Sequence, residues 1–449
     1  MNLKQQEKYF HHLLETKDLK TLKSEAKDMN EADLAEILED FNSHDSLLIF
    51  RMLPKDLSIE VFTYMTPSQQ IQLVQSVTDK ELQELLDDLF LDDRVDLLEE
   101  MPAGLVTKFL SKAPAEERKL LNQFLQYPED SAGSLMTIEY VSLEPEMTVK
   151  EAMAYIKENG MKKETIYTCY VVDERKKLLG FVSLRDLVIA DPYEKIEDIM
   201  LEDVVFVETT EDQEEIGDMF TKYGYLAFPV VDREHRLCGI ITFDDIMEVL
   251  EDEATEDFHR MAAINPSDED YMDETPMDLA KNRIPWLLIL MISATVTGSI
   301  IHHFDTLIGE FIILTSFIPM ITGTGGNTGS QSSTMVIRGL ATGEIEWEDM
   351  LPVMWKEMRV GLIAGTFLAI VNFLRLVFLT STSFTVALTV SLTILCTVIL
   401  SKLLGAFLPI TMARLGLDPA LMAASFITTI IDSVVLIIYF SIAGMILLR

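Results

Sequence analysis

Cysteine is scarce. Three occur in 449 residues, Cys169, Cys238 and Cys396, each in apolar surroundings and none at a metal or redox spacing. That excludes a disulfide framework and a thiolate metal centre, leaves them as small buried hydrophobes, and points to a reducing compartment. Positive charge is the second shortage: 36 Lys and Arg stand against 73 Asp and Glu, a formal charge of −37. A field of that sign repels nucleic-acid phosphates, so nucleic acid is excluded as a partner, and it concentrates cations at the surface. Also missing are a nucleophile with its base, a metal-binding His pair and a phosphate loop with its lysine, which argues against an enzyme. The opening MNLKQQEKYFHH lacks the apolar core of a signal peptide, so the soluble part is expected in the cytoplasm.

What is present divides into two chemically different halves near Arg283. Up to that residue there are 64 Asp and Glu against 29 Lys and Arg; beyond it there are 9 against 7. The negative charge therefore belongs to the first half. Cation binding is one reading of it, and solvated acidic faces that keep the domain soluble are the other.

Beyond Arg283 long uncharged runs predict five spans, at about 284–304, 311–337, 353–379, 384–412 and 419–448, within a membrane domain over 281–449. With the N-terminus inside, Lys281, Arg283, Arg338, Lys356, Arg359 and Arg414 fall beside cytoplasmic ends. The two external loops, around 302–310 and 380–383, have no Lys or Arg. A multi-pass protein of the plasma (inner) membrane, N-terminus in the cytoplasm and C-terminus outside, is expected.

Two features interrupt the apolar pattern. The second span contains PMITGTGGNTGSQSSTMVIRG, where Gly323, Gly325, Gly326 and Gly329 alternate with hydroxyl and amide side chains. Such backbone polarity is tolerated in a membrane where it is buried in protein or lines water, and small-residue helix packing is the competing explanation. The last span contains TTIIDSVVLIIYF, which places Asp432 about 20 Å along a helix beginning near Asp418 and Pro419. A carboxylate there is functional by default. A buried pair with Lys402 or Arg375 is the alternative. Flanking hydroxyls, Thr428 among them, suit a hard cation that keeps part of its water.

The soluble half begins with short amphipathic helices over 1–130, as in EADLAEILEDF and DRVDLLEEM, with breaks at Pro54, Pro67, Pro102 and Pro114 that predict a proline in each new first turn. An α-helical solenoid fits. Over 131–250 the texture becomes alternating strand and helix, and YVVDERKKLLGFVSLRDLV from Tyr170 aligns without gaps on PVVDREHRLCGIITFDDIM from Pro229, an offset of 59. The repeat resembles a tandem CBS (α+β) pair, about 136–195 and 196–250. An acidic connecting helix and linker follow over 243–280: Asp245, Glu248, Asp252 and Glu256 form one stripe, and Glu253 with Asp257 a second. Like charges at that spacing repel unless a cation neutralises them, and a plain solvated connector is the alternative.

A solenoid, a CBS pair, an acidic connecting helix and five spans, with GTGGNTGSQSSTMVIRGLATGE, DPA at Asp418 and TTIID ending at Asp432, make the whole chain resemble the MgtE family of magnesium channels. The resemblance implies a homodimeric Mg2+ channel or transporter whose cytoplasmic domains sense Mg2+ and close the pore. It implies a pore ligand at Asp432 with Thr428 nearby. It implies regulatory ligands at Glu60, Asp92, Asp96, Gly133 (through its carbonyl), Asp212, Glu214, Asp245, Glu248, Glu253, Glu256, Asp257 and Asp418, the last facing the connecting helix. ATP, bound through Arg185, Asp186, Tyr225 and Pro229, is the candidate nucleotide.

The chain departs from the family pattern at four places. Gly224 stands where an Asp can occur, Ala424 and Ser425 replace a Pro-containing pair beside the filter, and Thr168 replaces an aromatic that can stack on adenine. Two other functions stay in view: an ion-coupled exchanger of divalent cations, and a membrane-anchored CBS nucleotide sensor.

Overall fold

The first half folds as helices because its apolar residues recur at helical spacing between strong caps. The computed structural model describes residues 3–448 other than 268–270, 273, 381 and 423, without the side chains of Asp79, Glu100, Ala103, Lys108, Ser111, Lys112, Met422, Ala424 and Ser425. The departure at Ala424 and Ser425 thus lies outside the described side chains. The chain forms two units, 1–249 and 250–449.

Unit 1 opens with α1 (Leu3–Glu15), α2 (Leu19–Lys27), α3 (Glu31–Glu39), α4 (Ser43–Phe50), α5 (Lys55–Thr63), α6 (Pro67–Ser76), α7 (Asp79–Leu86), α8 (Leu91–Glu100), α9 (Ala103–Lys112) and α10 (Ala115–Phe124). Asn30, Asn42, Thr66 and Thr78 cap their helices with side-chain oxygens on exposed amides. The proline expectation is corrected at three of four breaks. Pro54, Pro102 and Pro114 are the residues before the first turn, with ψ between 130° and 150°, and Pro67 alone is a first helical residue. Proline's fixed φ suits either place, and only an extended ψ distinguishes them. Helices pack on the next but one, α3 on α5, α4 on α6, α6 on α8 and α8 on α10, as in stacked pairs. Leu34, Val61, Leu86, Val95 and Leu121 are fully buried between them.

The duplicated sequence is a duplicated structure. After α11 (Ala132–Leu135) come β1 (Val141–Leu143), α12 (Val149–Asn159), β2 (Thr168–Val172), β3 (Leu178–Ser183) and α13 (Leu184–Ile189). Next are α14 (Ile196–Ile199), β4 (Val207–Glu208), α15 (Gln213–Tyr223), β5 (Ala227–Val231), β6 (Leu237–Thr242) and α16 (Phe243–Met261). Each repeat is a three-stranded sheet, β1-β2-β3 and β4-β5-β6, with one parallel and one antiparallel pairing. The matched glycines have a shared cause. A Cβ on Gly180 would lie 2.7 Å from the Leu201 carbonyl, and one on Gly239 2.6 Å from that of Thr137. The segment before each repeat crosses the other repeat's sheet there, bridging Phe181 to Leu201 and Ile240 to Thr137.

Unit 2 holds the rest of α16, then α17 (Pro276–His303), α18 (Asp305–Glu310), α19 (Ile318–Ala341), α20 (Met350–Phe378), α21 (Phe384–Arg414) and α22 (Ala424–Leu447). Among the described residues four stretches are long and apolar enough to cross a membrane: 276–303, 347–378, 384–414 and 426–447. Helix α19 is long enough at 24 residues, about 36 Å, but its Gly, Ser and Thr lower its hydropathy. The expected depth of Asp432 is corrected as well. Pro419–Met422 is a 3-10 turn and α22 starts at Ala424, so Asp432 lies about 12 Å from the helix start rather than about 20 Å.

Candidate cation sites

The two acidic stretches of unit 1, on α8 and at the start of α16, meet in space. Asp92 is buried and its Oδ1 has no hydrogen-bond partner. Burial first, then Asp93, Asp245 and Glu164, hold its carboxyl well above the ordinary range. Asp93 is pushed up to about 7 by burial and then by Asp245, Glu248, Asp244 and Glu139. Glu164 is pushed up to about 7 by burial, then by Asp245 and Asp93. Asp245 is raised by burial although Thr242 Oγ1 donates to its Oδ2 at 2.5 Å. Asp96 is raised first by desolvation and then by Asp93 and Glu99, and solvent on its exposed outer surface weakens that shift. Arg94 brings no relief, because its Nη1 is committed to Glu117 at 2.7 Å.

Asp93, Asp244, Glu139 and Glu164 escaped the sequence reading. The first two sit beside residues it named, so adjacency was a usable signal. Glu139 and Glu164 are brought in by a backbone hydrogen bond, Glu164 N to Glu139 O at 2.8 Å, which no local pattern announces. Glu60 is exposed on α5 and is not among the principal charges acting on Asp92, Asp93 or Asp96. Among the described residues no three His, Cys, Asp or Glu close into a metal cage. The carboxylates crowd one another, and an orphaned Asp92 oxygen among raised carboxyls is the donor chemistry a hard divalent ion satisfies.

Gly133, Asp212 and Glu214 are also brought together. The segment around Gly133 is laced to the start of α15 by Ala132 N to Glu211 O at 2.8 Å, Gly133 N to Thr209 O at 3.0 Å and Gln213 N to Asp130 O at 2.9 Å. Asp212 caps α15 by accepting from Glu214 N at 3.0 Å. Gly224 ends α15 at φ +65°, a left-handed backbone that glycine adopts without strain.

The residues singled out for a nucleotide come from both repeats, which a ring contact between Tyr225 and Phe181 joins. Ser183 Oγ donates to Asp186 Oδ2 at 2.5 Å, and Arg185 beside it is exposed. The Tyr225 ring lies 6.1 Å from that of Phe181, two residues before Ser183, while Pro229 is buried in β5. Thr168 pairs with Ser183 across the strands. Asp245 with Thr242 repeats the Asp186–Ser183 arrangement at the offset of 59.

In unit 2 the last turns of α16 meet the entrance to α22. Arg260 Nη1 donates to Asp418 Oδ2 at 2.6 Å and Nη2 to Glu256. Asp257 is raised by burial and then by Asp418. Glu256 is raised by burial despite Arg260. Three of the predicted carboxylates thus surround one guanidinium, and Glu253 adds its field to Glu256 and Asp257.

Asp432 is half-buried in α22, and its Oδ1 has no hydrogen-bond partner. The alternative pairings do not occur: Lys402 reaches Glu357 at 3.4 Å and Arg375 reaches Asn372 at 2.9 Å. The glycines of α19 have a packing role beside it. A Cβ on Gly326 would lie 2.2 Å from Thr428 Cγ2, and one on Gly329 2.0 Å from Ile431 Cδ1. Small-residue packing is therefore part of why that segment is glycine-rich, and it brings α19 against the turn that carries Asp432.

A helical domain, a CBS pair, a connecting helix and membrane-length helices, one of which carries a carboxylate, fit a membrane transporter of cations with a large soluble part. Family profiles match the same parts: an MgtE intracellular N domain over 29–130, CBS domains over 132–193 and 196–252, and a divalent cation transporter over 318–442. The magnesium transporter MgtE of Thermus thermophilus is 36% identical over 97% of both chains, and that of Bacillus subtilis 31% identical over 92% of this chain and 93% of its own. A crystal structure of the cytosolic domain of the Mg2+ channel MgtE in complex with ATP is 33% identical, with TM-score 0.51 over 54% of this chain and 98% of its own. The soluble part of a magnesium transporter matches at 28% identity and TM-score 0.53, over 56% of this chain. The chain belongs to the MgtE family.

Proposed function

We propose that the protein is a magnesium channel of the plasma membrane, and that acidic sites in its soluble half bind intracellular Mg2+ and close it. The observation that carries the conducting role is Asp432, a carboxylate inside a membrane helix with a buried oxygen lacking a protein partner. Such a group in hydrocarbon is stable when water or a cation reaches it. Thr428 sits one turn before it, and the glycines of α19 remove side chains alongside. In this reading α19 is a fifth span, the N-terminus is cytoplasmic and the C-terminus outside. Two copies build the pore, each contributing Asp432. No catalytic step is assigned.

The regulatory ligands would be Asp92, Asp96, Asp245 and Glu248 with Asp93 and Glu164 added, then Gly133, Asp212 and Glu214, and in unit 2 Glu253, Glu256, Asp257 and Asp418. Glu60 stays in the set as an exposed outlying carboxylate. A bound divalent cation supplies the positive charge that mutual repulsion among these groups lacks. ATP would bind at Arg185, Asp186, Tyr225 and Pro229, with Thr168 giving up one stacking surface.

The test is Mg2+ flux into liposomes holding the purified protein, with Mg2+ varied on the side of the soluble domains. Flux that falls as that Mg2+ rises is expected. Absence of flux at every concentration sinks the proposal, and flux that follows a sodium or proton gradient makes the protein an exchanger instead.

A further inference from the structure

Two buried polar side chains in unit 2, Ser332 and Lys402, and one partly buried, Glu357, take no part in the sites above. Ser332 comes from α19, Glu357 from α20 and Lys402 from α21. Ser332 Oγ donates to Glu357 Oε2 at 2.5 Å and accepts from Lys402 Nζ at 3.2 Å, and Lys402 Nζ reaches the same carboxylate oxygen at 3.4 Å. The Lys402 and Glu357 side chains are 9% and 17% exposed, so neither charge is held at the surface. Replacing such a pair by apolar side chains of similar volume is often neutral or stabilising, so packing alone does not account for it. What the pair adds is direction. One hydroxyl is held by two charges from two other helices, and that fixes where α19 sits along both.

The contacts on either side of Ser332 transmit that placement. A Cβ on Gly405 would lie 2.4 Å from the Gly329 carbonyl and 3.0 Å from Ser332 Cβ, so α19 and α21 touch backbone to backbone. Gly326 and Gly329 instead receive side-chain methyls of α22, from Thr428 and Ile431, in the turn that leads to Asp432. No α19 side chain separates those methyls from the α19 backbone, and a shift of α19 is therefore a shift against the Thr428 and Ile431 side chains of α22.

We propose that Ser332, Glu357 and Lys402 are positioning residues of the conduction path: they set the register of α19, and through its glycines the placement of Thr428 and Asp432. The inference rests on Asp432 being in the pore. The test uses the full-length protein in liposomes and reads Mg2+ flux together with the ratio of Mg2+ to Ca2+ flux, which a merely structural loss of active protein leaves unchanged. The double variant Glu357→Leu/Lys402→Met leaves no unpaired charge and is chosen so that folding survives. Flux at least fivefold lower with a reduced ratio is expected. Ser332→Ala, which keeps both charges and cuts the link, should move both readouts the same way by a smaller factor. Wild-type flux and ratio in the double variant, or in Ser332→Ala should the double variant not fold, overturn the inference. Asp432→Asn measured alongside separates the two ideas. Normal flux there removes the pore assignment whatever the other variants do. A non-conducting Asp432→Asn with a wild-type double variant removes the positioning role alone.

Discussion

Arg260 on the connecting helix donates to Asp418 at the foot of the last membrane helix, 2.6 Å away, while its other nitrogen is held by Glu256. Asp418 is doubly used, since its Oδ1 also accepts Ala420 N at 2.7 Å and so shapes the turn that leads into α22. A guanidinium among Glu256, Asp257 and Asp418 neutralises the carboxylates that the proposed function gives to Mg2+. Protein cation and metal cation then compete for the same oxygens.

Arg260→Ala tests that competition. Without the guanidinium the three carboxylates repel one another until Mg2+ arrives. A half-buried pair of this kind contributes about 1 kcal/mol, a factor of about five. Flux at low Mg2+ should rise by about that factor, and closure should occur at a lower Mg2+ concentration because the competitor is gone. An unchanged flux curve against Mg2+ would show that Arg260 does not bear on the gate.

Asp432→Ala should abolish Mg2+ conduction while leaving a monodisperse, reconstitutable protein. Asp432→Asn keeps the shape and removes only the charge, so it should lose most of the flux too. Liposome flux read against Mg2+ concentration decides this, and normal rates in both variants would remove Asp432 from the path.

Unit 1 should be more stable in mild acid than in base when divalent cations are absent. Asp93 and Glu164 are raised to about 7, and Asp92 is raised as well. The folded state therefore holds more protons than the unfolded chain between about pH 4 and 7, and stability falls as pH rises through that window. The melting temperature of fragment 1–265 in chelator should drop by several degrees from pH 5 to pH 8, at roughly 2–4 °C per kcal/mol. Millimolar Mg2+ should flatten or reverse the slope by binding the ionised carboxylates. A slope of the opposite sign without Mg2+ would mean that the cluster is solvated.

Asp93→Asn separates ligand from repulsion in the same cluster. It removes a charge that acts on Asp92, Asp96 and Glu164, so the Mg2+-free fragment should melt higher than wild type. The stabilisation by Mg2+ should shrink. Calorimetry with and without Mg2+ reads both effects, and an unchanged Mg2+ increment would exclude Asp93 as a ligand.

The repeat at offset 59, the charge divide near Arg283, the helix breaks and the intramembrane carboxylate were all legible in the sequence. Each is written in local periodicity or in matching short segments, which hydrophobic burial and backbone geometry translate directly into helices, strands and turns. The gathering of Glu139 and Glu164 onto the Asp92–Asp93 turn was not, because long-range packing sets it and acidic residues look alike wherever they are destined. For the same reason only the tertiary structure decided that Lys402 answers Glu357 and Ser332 instead of Asp432. A buried charge takes the partner that three helices bring within reach, and that choice depends on how side chains of α19, α20 and α21 interlock, which has no period along the chain.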